Sequence, residues 1–149
     1  MQLRDMMTSN PAACTANSSL QDVANMMVDC DCGMIPIISD DGANKPIGTV
    51  TDRDIVIRTI ANGDNPLQMT AGDVMTDNPV CIDQNASHQE AMEMMEQNQI
   101  RRLLVIDENG ECCGVISQAD IARSMSEQEV GEVVQHVSQP GSGHSGARA

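Results

Sequence analysis

Hydrophobic and polar positions follow two patterns along the chain, one typical of amphipathic helices and one typical of short strands. Residues 20–27 carry apolar side chains at helical spacing, directly after a pair of serines that suit a helix cap. Residues 34–39 and 47–51 are apolar, β-branched runs joined by a connection with an Asp-Gly turn, which is typical of paired strands. The polar, charged segment that follows predicts a helix over residues 52–61.

A lead-in segment precedes this unit, and the whole order returns in the second half of the chain. Residues 3–7 predict a short helix, which the Thr-Ser-Asn-Pro sequence ends, and residues 12–15 predict a brief strand. The elements predicted in the second half are a helix whose apolar face begins at His88, strands over residues 102–107 and 113–117, and a helix over residues 118–125. The pattern predicts an α/β (α+β) fold made of two β-α-β-β-α units.

The two halves also share sequence motifs, which identifies an internal repeat. Residues 5–11 return as residues 73–79, and both copies contain Met-Thr-x-Asn-Pro. Residues 48–55 pair with residues 114–121, and both keep the pattern Gly-x-x-[Thr/Ser]-x-x-Asp-Ile. The second motif places a polar, acidic helix start directly after a strand in each copy.

Taken together, these motifs resemble a tandem pair of cystathionine-β-synthase (CBS) domains of the stand-alone prokaryotic type, over about residues 3 to 126. The resemblance implies two CBS repeats packed as one pseudo-two-fold module that binds adenine nucleotides. It also implies that the aspartate of the repeated motif contacts the ribose and that the threonine or serine lies near a phosphate.

The repeat divides the chain into four segments. Residues 1–66 form the first repeat with its lead-in helix, and residues 67–126 form the second. Four valines within residues 127–137 predict a C-terminal amphipathic helix, and the Gly- and Ser-rich residues 138–149 predict a flexible tail. The Gly/Pro/Asn-rich connection between the repeats does not separate independent domains, and we expect the two halves to share one core.

The motif in the first repeat has two interpretations. A helix that begins at Asp52 directs free N–H groups and its positive dipole end towards a phosphate, with Thr51 and Arg53 beside it. Asp54 then offers carboxylate oxygens to the two hydroxyls of a ribose. The alternative is a helix capping box, because Thr51 and Asp54 have the spacing of an N-cap and a third helical residue.

The second repeat and the strand starts complete the candidate ligand site. Ser117 and Asp120 repeat the motif, and the arginines before the second-repeat strand suit phosphate, unless they pair with surface carboxylates. By resemblance, a turn in the first repeat lines the adenine. Because this turn and Arg53 lack counterparts in the second repeat, Asp54 is expected to matter more than Asp120 for binding. The strand-start candidates are Met34, Ile35 and Pro36 in the turn, and Arg101 and Arg102 at the phosphates.

Composition narrows the function classes. The chain has 22 acidic and 8 basic residues, a net charge of −14 and no aromatic residue. It therefore repels phosphate backbones and has no rings to stack on bases, which disfavours nucleic-acid binding. An acidic surface with one lysine suits a salt-rich, halophilic cytoplasm. No apolar run has membrane length and the N-terminus does not resemble a signal peptide, so we expect no membrane contact and a cytoplasmic location.

Six cysteines raise the question of redox or metal chemistry. The Cys30-x-Cys32 and Cys112-Cys113 groupings lack the spacing of zinc ribbons, so we expect buried free thiols, no disulfide and no metal. No arrangement of a catalytic triad, a Cys–His pair or a phosphate-binding Walker loop is visible, and we expect no enzymatic activity and no cofactor.

The sequence thus leaves two functions to compare. The first is a stand-alone regulatory module that binds AMP, ADP or ATP in clefts between the repeats and signals to an unidentified protein partner. The second is a structural or dimerisation module with degenerate nucleotide pockets. Either version is expected to form a homodimer through its methionine-rich helical faces, partly by analogy with the family.

Overall fold

The structure, a computed structural model, describes residues 2–134, and side chains up to residue 127. The elements of the first half are a 3₁₀ turn Leu3–Asp5, β1 Thr8–Ser9, α1 Leu20–Cys30, β2 Met34–Ile38, β3 Pro46–Thr51, α2 Asp52–Arg58 and a 3₁₀ turn Ile60–Asn62. Those of the second half are a 3₁₀ turn Pro66–Gln68, α3 Ala71–Val74, β4 Thr76–Asp77, β5 Cys81–Asp83, α4 His88–Asn98, β6 Arg102–Ile106, β7 Cys112–Ser117 and α5 Gln118–Val134. The repeated α+β order expected from the sequence is confirmed.

Two sheets organise the molecule, and each contains a strand contributed by the other repeat. The first has the order β2-β3-β4 and the second the order β1-β7-β6-β5. Strand β1, from the start of the chain, pairs antiparallel with β7, while β4 of the second repeat pairs antiparallel with β3. The lead-in segment, which the sequence division groups with the first repeat, therefore lies on the sheet of the second. The repeats exchange their lead-in segments.

Two glycines make this exchange sterically feasible. A Cβ atom on Gly48 would lie 2.8 Å from the carbonyl oxygen of Thr76 and 2.9 Å from Met75 Sδ. A Cβ atom on Gly114 would collide with the side chain of Met7. The glycine of the repeated motif thus lies where the exchanged lead-in segment crosses each hairpin, against backbone at Gly48 and against a flexible side chain at Gly114.

The exchange also divides the interior, so the expectation of one shared core is wrong. One cluster of buried residues joins α1, β2 and β3 with Ala71 and Val74 from the lead-in segment of the second repeat. The other joins β5, α4, β6 and β7 with Leu3 and Met6 from the start of the chain. Each sheet is covered by its own helix and completed by the other repeat, which gives two cores held together by the crossing segments.

Local differences from the predicted elements follow from backbone pairing. The strand predicted over residues 12–15 is reduced to a single bridge between Cys14 and Ile37, and the lead-in helix is one 3₁₀ turn. Helix α2 ends at Arg58, where Thr59 turns its hydroxyl back to the carbonyl of Ile55. Helix α5 runs unbroken through the gap predicted near residue 126; the remainder of the predicted amphipathic helix and the tail 138–149 lie outside the described residues.

Candidate functional site

A cleft of about 270 Å³ opens between the two repeats. Four segments meet there: the exchanged lead-in segment, the end of α1 with the turn into β2, the start of β6, and the start of α5. The residues that line it are Thr8, Pro11, Ala12, Cys30, Cys32, Gly33, Met34, Arg101, Arg102, Val115, Ser117, Gln118, Ala119 and Asp120. Five of the predicted site residues, Met34, Arg101, Arg102, Ser117 and Asp120, are thus brought together.

The start of α5 forms one wall of the cleft and contains a complete capping box. Ser117 Oγ accepts a hydrogen bond from Asp120 N at 3.0 Å, and Asp120 Oδ2 accepts one from Ser117 N at 3.1 Å. The second carboxylate oxygen of Asp120 accepts from Arg123 Nη2 at 2.7 Å. Because the first-turn N–H groups of a helix lack intrahelical partners, this wall presents a positive dipole end to the cleft.

The equivalent residues of the first repeat form the same capping box away from this cleft. Asp54 N donates to Thr51 Oγ1 at 3.0 Å, and Thr51 N donates to Asp54 Oδ2 at 3.0 Å. Asp54 is buried and lies 3.8 Å from Arg58 Nη2, whereas Arg53 is exposed. None of Thr51, Arg53 and Asp54 lines the 270 Å³ cleft. Both repeats therefore contain the capping box. Asp120 lines this cleft and Asp54 does not, which favours the reverse of the ranking predicted for binding.

Arg101 and Arg102 give the cleft its positive charge. Arg102 Nη1 lies 3.5 Å from the carbonyl oxygen of Gly33, at the outer limit for a hydrogen bond. Burial lowers the pKa of the Arg102 guanidinium, an effect that the carboxylate of Asp52 opposes. Among the side chains described, the ion pairs are Arg58 with Asp54 and Arg123 with Asp120, so neither cleft arginine is paired with a carboxylate. The alternative that Arg101 and Arg102 form ion pairs with surface carboxylates is therefore not observed among the described residues.

The predicted adenine turn is divided between the cleft and the core. Met34 lines the cleft, but Ile35 is fully buried in the first core cluster. Pro36 is buried as well, opposite Thr49 in the β2–β3 ladder. Ile35 and Pro36 therefore act as strand residues that hold Met34 in place.

Sequence reasoning missed the contribution of the lead-in segment. Thr8, Pro11 and Ala12 line the cleft because β1 pairs with β7 at the Thr8–Val115 position. Thr8 and Pro11 belong to the Met-Thr-x-Asn-Pro motif, which by itself indicates only the internal repeat. A repeated polar motif outside any predicted element was the available signal.

The cysteines do not all follow the expectation of free thiols. Cys30 and Cys32 form a disulfide, while Cys14, Cys81, Cys112 and Cys113 are free. The disulfide spans Asp31, whose left-handed backbone (φ 50°) ends α1 and brings the two flanking side chains to the same side. No three His, Cys, Asp or Glu side chains cluster as metal ligands within the described part of the chain. There too, no helix combines the length and hydropathy needed to cross a membrane.

Comparison with known proteins gives the context for this geometry. The model of the CBS domain matches the chain twice, over residues 3–59 and 71–127. Hypoxic response protein 1 of Mycobacterium tuberculosis is 36% identical over 137 residues, which cover 92% of this chain and 94% of that protein. The crystal structure of Hypoxic Response Protein I with two coordinated zinc ions has a TM-score of 0.72 and 37% identity, covering 83% of this chain and 98% of that one.

A more distant solved structure shares the fold. CBSX2 in complex with AMP superposes with a TM-score of 0.75 at 20% identity, covering 86% of this chain and 98% of that chain. The two matches to the family model coincide with the two halves of the internal repeat, including both Gly-x-x-[Thr/Ser]-x-x-Asp motifs. This chain therefore belongs to the CBS domain family, as a tandem pair of repeats.

Proposed function

We propose that this chain is a regulatory module that binds an adenine nucleotide in the 270 Å³ cleft and passes its binding state to a protein partner. The observation that carries the proposal is the presence of two arginines without carboxylate partners beside a helix N-terminus, in a protein with a net charge of −14. An acidic protein that keeps two cations unpaired in one cleft is suited to an anionic ligand. The proposal is one of binding and includes no catalytic step.

Each part of a nucleotide has a suitable neighbour in the cleft. The guanidinium groups of Arg101 and Arg102, with the first turn of α5, suit the phosphate. Asp120 suits the ribose, because a carboxylate has more acceptor positions than its two bonds within the protein use. Aliphatic side chains suit the base, since the chain has no aromatic residue to stack on it. The volume is near the lower end of the range of about 300–1,000 Å³ that is usual for small-ligand pockets.

The comparisons support the ligand class without selecting the nucleotide. CBSX2 binds AMP on the same fold. AMP, ADP and ATP differ in phosphate charge, and Arg101, which lines the cleft and is exposed, is accessible to a second or third phosphate. Calorimetric titration with each of the three, at high salt, ranks them.

The test of the cleft uses the internal repeat as its control. We expect AMP, ADP or ATP, at about a hundred times its dissociation constant, to stabilise the protein by roughly 2.7 kcal/mol in thermal unfolding. Asp120→Asn keeps an oxygen that can cap α5 but removes the carboxylate, and should lose most of this stabilisation. Asp54→Asn makes the same change outside the cleft and should retain it.

Two arginine substitutions, one inside and one outside the cleft, provide a second test with a matched control. Arg101→Gln should weaken binding about tenfold through loss of a charge-assisted contact, while Arg53→Gln, at an exposed position outside the cleft, should not. Equal nucleotide effects in wild type, Asp120→Asn and Asp54→Asn would contradict the ribose assignment. Absence of any effect in the wild type would favour the structural or dimerisation module.

We also infer a homodimer, in which the helical face of the first repeat is the contact surface. Five exposed side chains define this apolar face: Val28, Val56, Ile57, Ile60 and Leu67. They belong to α1, α2 and the two neighbouring 3₁₀ turns, which pack against one another. The positions of Val28, Val56 and Ile57 are occupied in the second repeat by Glu96, Ala122 and Arg123. Among the described residues, Met92 of the second repeat is the one large exposed apolar side chain outside this face, so most of the large exposed apolar side chains lie on it. A self-complementary patch of this kind suits a symmetric pair.

A further inference from the structure

We propose that the Cys30–Cys32 disulfide is a redox-active site that controls the affinity of the cleft, with the oxidised form binding the nucleotide more tightly. Both cysteines line the cleft, and Cys30 is exposed at the end of α1, where a reductant can reach it. The inference rests on the proposed nucleotide function for its ligand. The redox site itself is defined by the two sulfur atoms and their surroundings.

The second repeat shows that the disulfide is not needed to form its turn. Asn98 and Ile100 occupy the positions of Cys30 and Cys32, with Gln99 left-handed (φ 54°) in the place of Asp31. The backbone hydrogen bonds are equivalent, because Ile100 N donates to Met95 O at 2.9 Å as Cys32 N donates to Met27 O at 3.1 Å. The same helix end therefore forms without sulfur atoms.

Global stabilisation is also a poor explanation of this bond. A disulfide stabilises a protein mainly by restricting the unfolded chain, and the effect grows with the length of the closed loop. The Cys30–Cys32 bond encloses a single intervening residue. Cys30 and Cys32 both line the cleft, whereas their counterparts Asn98 and Ile100 do not.

The turn is connected directly to the groups proposed to bind phosphate and base. Gly33, next to Cys32, accepts a hydrogen bond from Asp52 N at 3.1 Å, and its carbonyl oxygen also faces Arg102 Nη1. The following residue is Met34, which lines the cleft. The bond thus restricts the wall that positions Arg102 and Met34, and a wall that is already ordered loses less entropy on ligand binding.

The redox step is an exchange with a dithiol reductant. One thiolate of the reductant attacks the exposed Cys30 Sγ, the sulfur–sulfur bond breaks, and Cys32 leaves as a thiolate that takes up a proton. The second thiol of the reductant then displaces Cys30 from the mixed disulfide. The reductant is oxidised to a disulfide, and the two electrons and two protons are held by Cys30 and Cys32 as thiols.

The experiment compares the air-oxidised and the phosphine-reduced full-length protein. Alkylation and mass mapping should show Cys30 and Cys32 protected before reduction and labelled after it. Calorimetric titration with AMP, ADP or ATP should show binding weakened about threefold to tenfold on reduction, the range expected when one side chain must be immobilised. The Cys30→Ser, Cys32→Ser double variant should bind like the reduced protein and lose the redox response. A Cys112→Ser, Cys113→Ser variant, altered outside the cleft, should retain it.

Independent readouts separate this proposal from the nucleotide function. Reduction should shift the amide NMR signals of Gly33, Met34 and Arg102 without ligand, while the melting temperature changes little. Equal affinities in both redox states, unshifted amides, free Cys30 and Cys32 thiols in the oxidised sample, or unfolding on reduction would each overturn it. Shifted amides in a protein that binds none of the three nucleotides would support a redox-active turn and would reject the nucleotide function alone.

Discussion

The Cys112 thiol shows how burial of a single residue links stability to pH. Burial raises its pKa from an ordinary value of 9.0 to about 11, and the nearby Cys113, Cys81 and Asp107 act in the same direction. The folded state therefore holds the thiol proton more tightly than the unfolded state does. This contribution to stability is fully present below pH 9 and is lost as the pH rises through 11.

We expect the free energy of unfolding to fall between pH 9 and pH 11, and to fall less steeply in Cys112→Ala. Urea denaturation across this range, with reductant present throughout, measures both slopes. Cys112→Ser, which lacks a group that titrates in this window, should match the alanine variant. Parallel slopes in wild type and both variants would show that the Cys112 proton does not distinguish the folded from the unfolded state.

At the residue scale, the sequence predicted the residues that form a capping box better than it predicted which of the two capping boxes lines the cleft. The spacing of Thr51 and Asp54 was enough to predict a capping box, because both residues belong to one turn of one helix. The assignment of the cleft to Asp120 depends on Thr8 reaching Val115 through an exchanged strand. No local spacing encodes that contact.

At the scale of elements, the two glycines of the repeated motif differ in what surrounds them. An added methyl group on Gly48 meets a backbone oxygen, that of Thr76, which moves only if β4 moves. On Gly114 the group meets the flexible side chain of Met7. We expect Gly48→Ala to cost about 1–3 kcal/mol of stability and Gly114→Ala less than about 1 kcal/mol.

Urea denaturation of the two variants measures this difference, since they alter equivalent strands of the same chain. Adding Met7→Ala to Gly114→Ala should relieve the overlap. Adding Met75→Ala to Gly48→Ala should not, because the carbonyl of Thr76 remains at 2.8 Å. A larger loss of stability for Gly114→Ala than for Gly48→Ala would contradict the proposed crossing geometry.

The longer elements followed from periodicity, and the short ones did not. The helix that starts after Ser19 was predicted with its cap, because apolar residues repeat over several turns and the serine oxygen accepts from Asp22 N. The strand predicted near Cys14 is a single bridge, since a segment of this length depends on tertiary pairing with Ile37. Helix α5 continues past residue 126 because no proline or glycine interrupts residues 118–130.

For the whole molecule, we propose that the apolar face of the first repeat is the surface through which the chain associates. We expect wild type to sediment as a homodimer at micromolar concentration and high salt. Val56→Glu places a charge at a position that is 52% exposed in the single chain and should shift the equilibrium towards monomer. Ala122→Glu makes the matched change on the exposed face of the second repeat and should leave the dimer intact. A monomeric wild type, or dissociation by both variants alike, would reject this interface.

The crossing of the two lead-in segments also bears on how such a chain can arise. Each hairpin is completed by the beginning of the other repeat, with β1 on β7 and β4 on β3. In a hypothetical ancestor with one repeat, each hairpin would gain its third strand only when two identical polypeptides dimerised. Gene duplication and fusion would convert this strand pairing between two molecules into strand pairing within one chain. In the fused gene each half has its own coding segment, so a mutation in one half is not copied into the other. The second half can therefore keep Arg101 and Arg102, and the first half Cys30 and Cys32, without the same change in the other half.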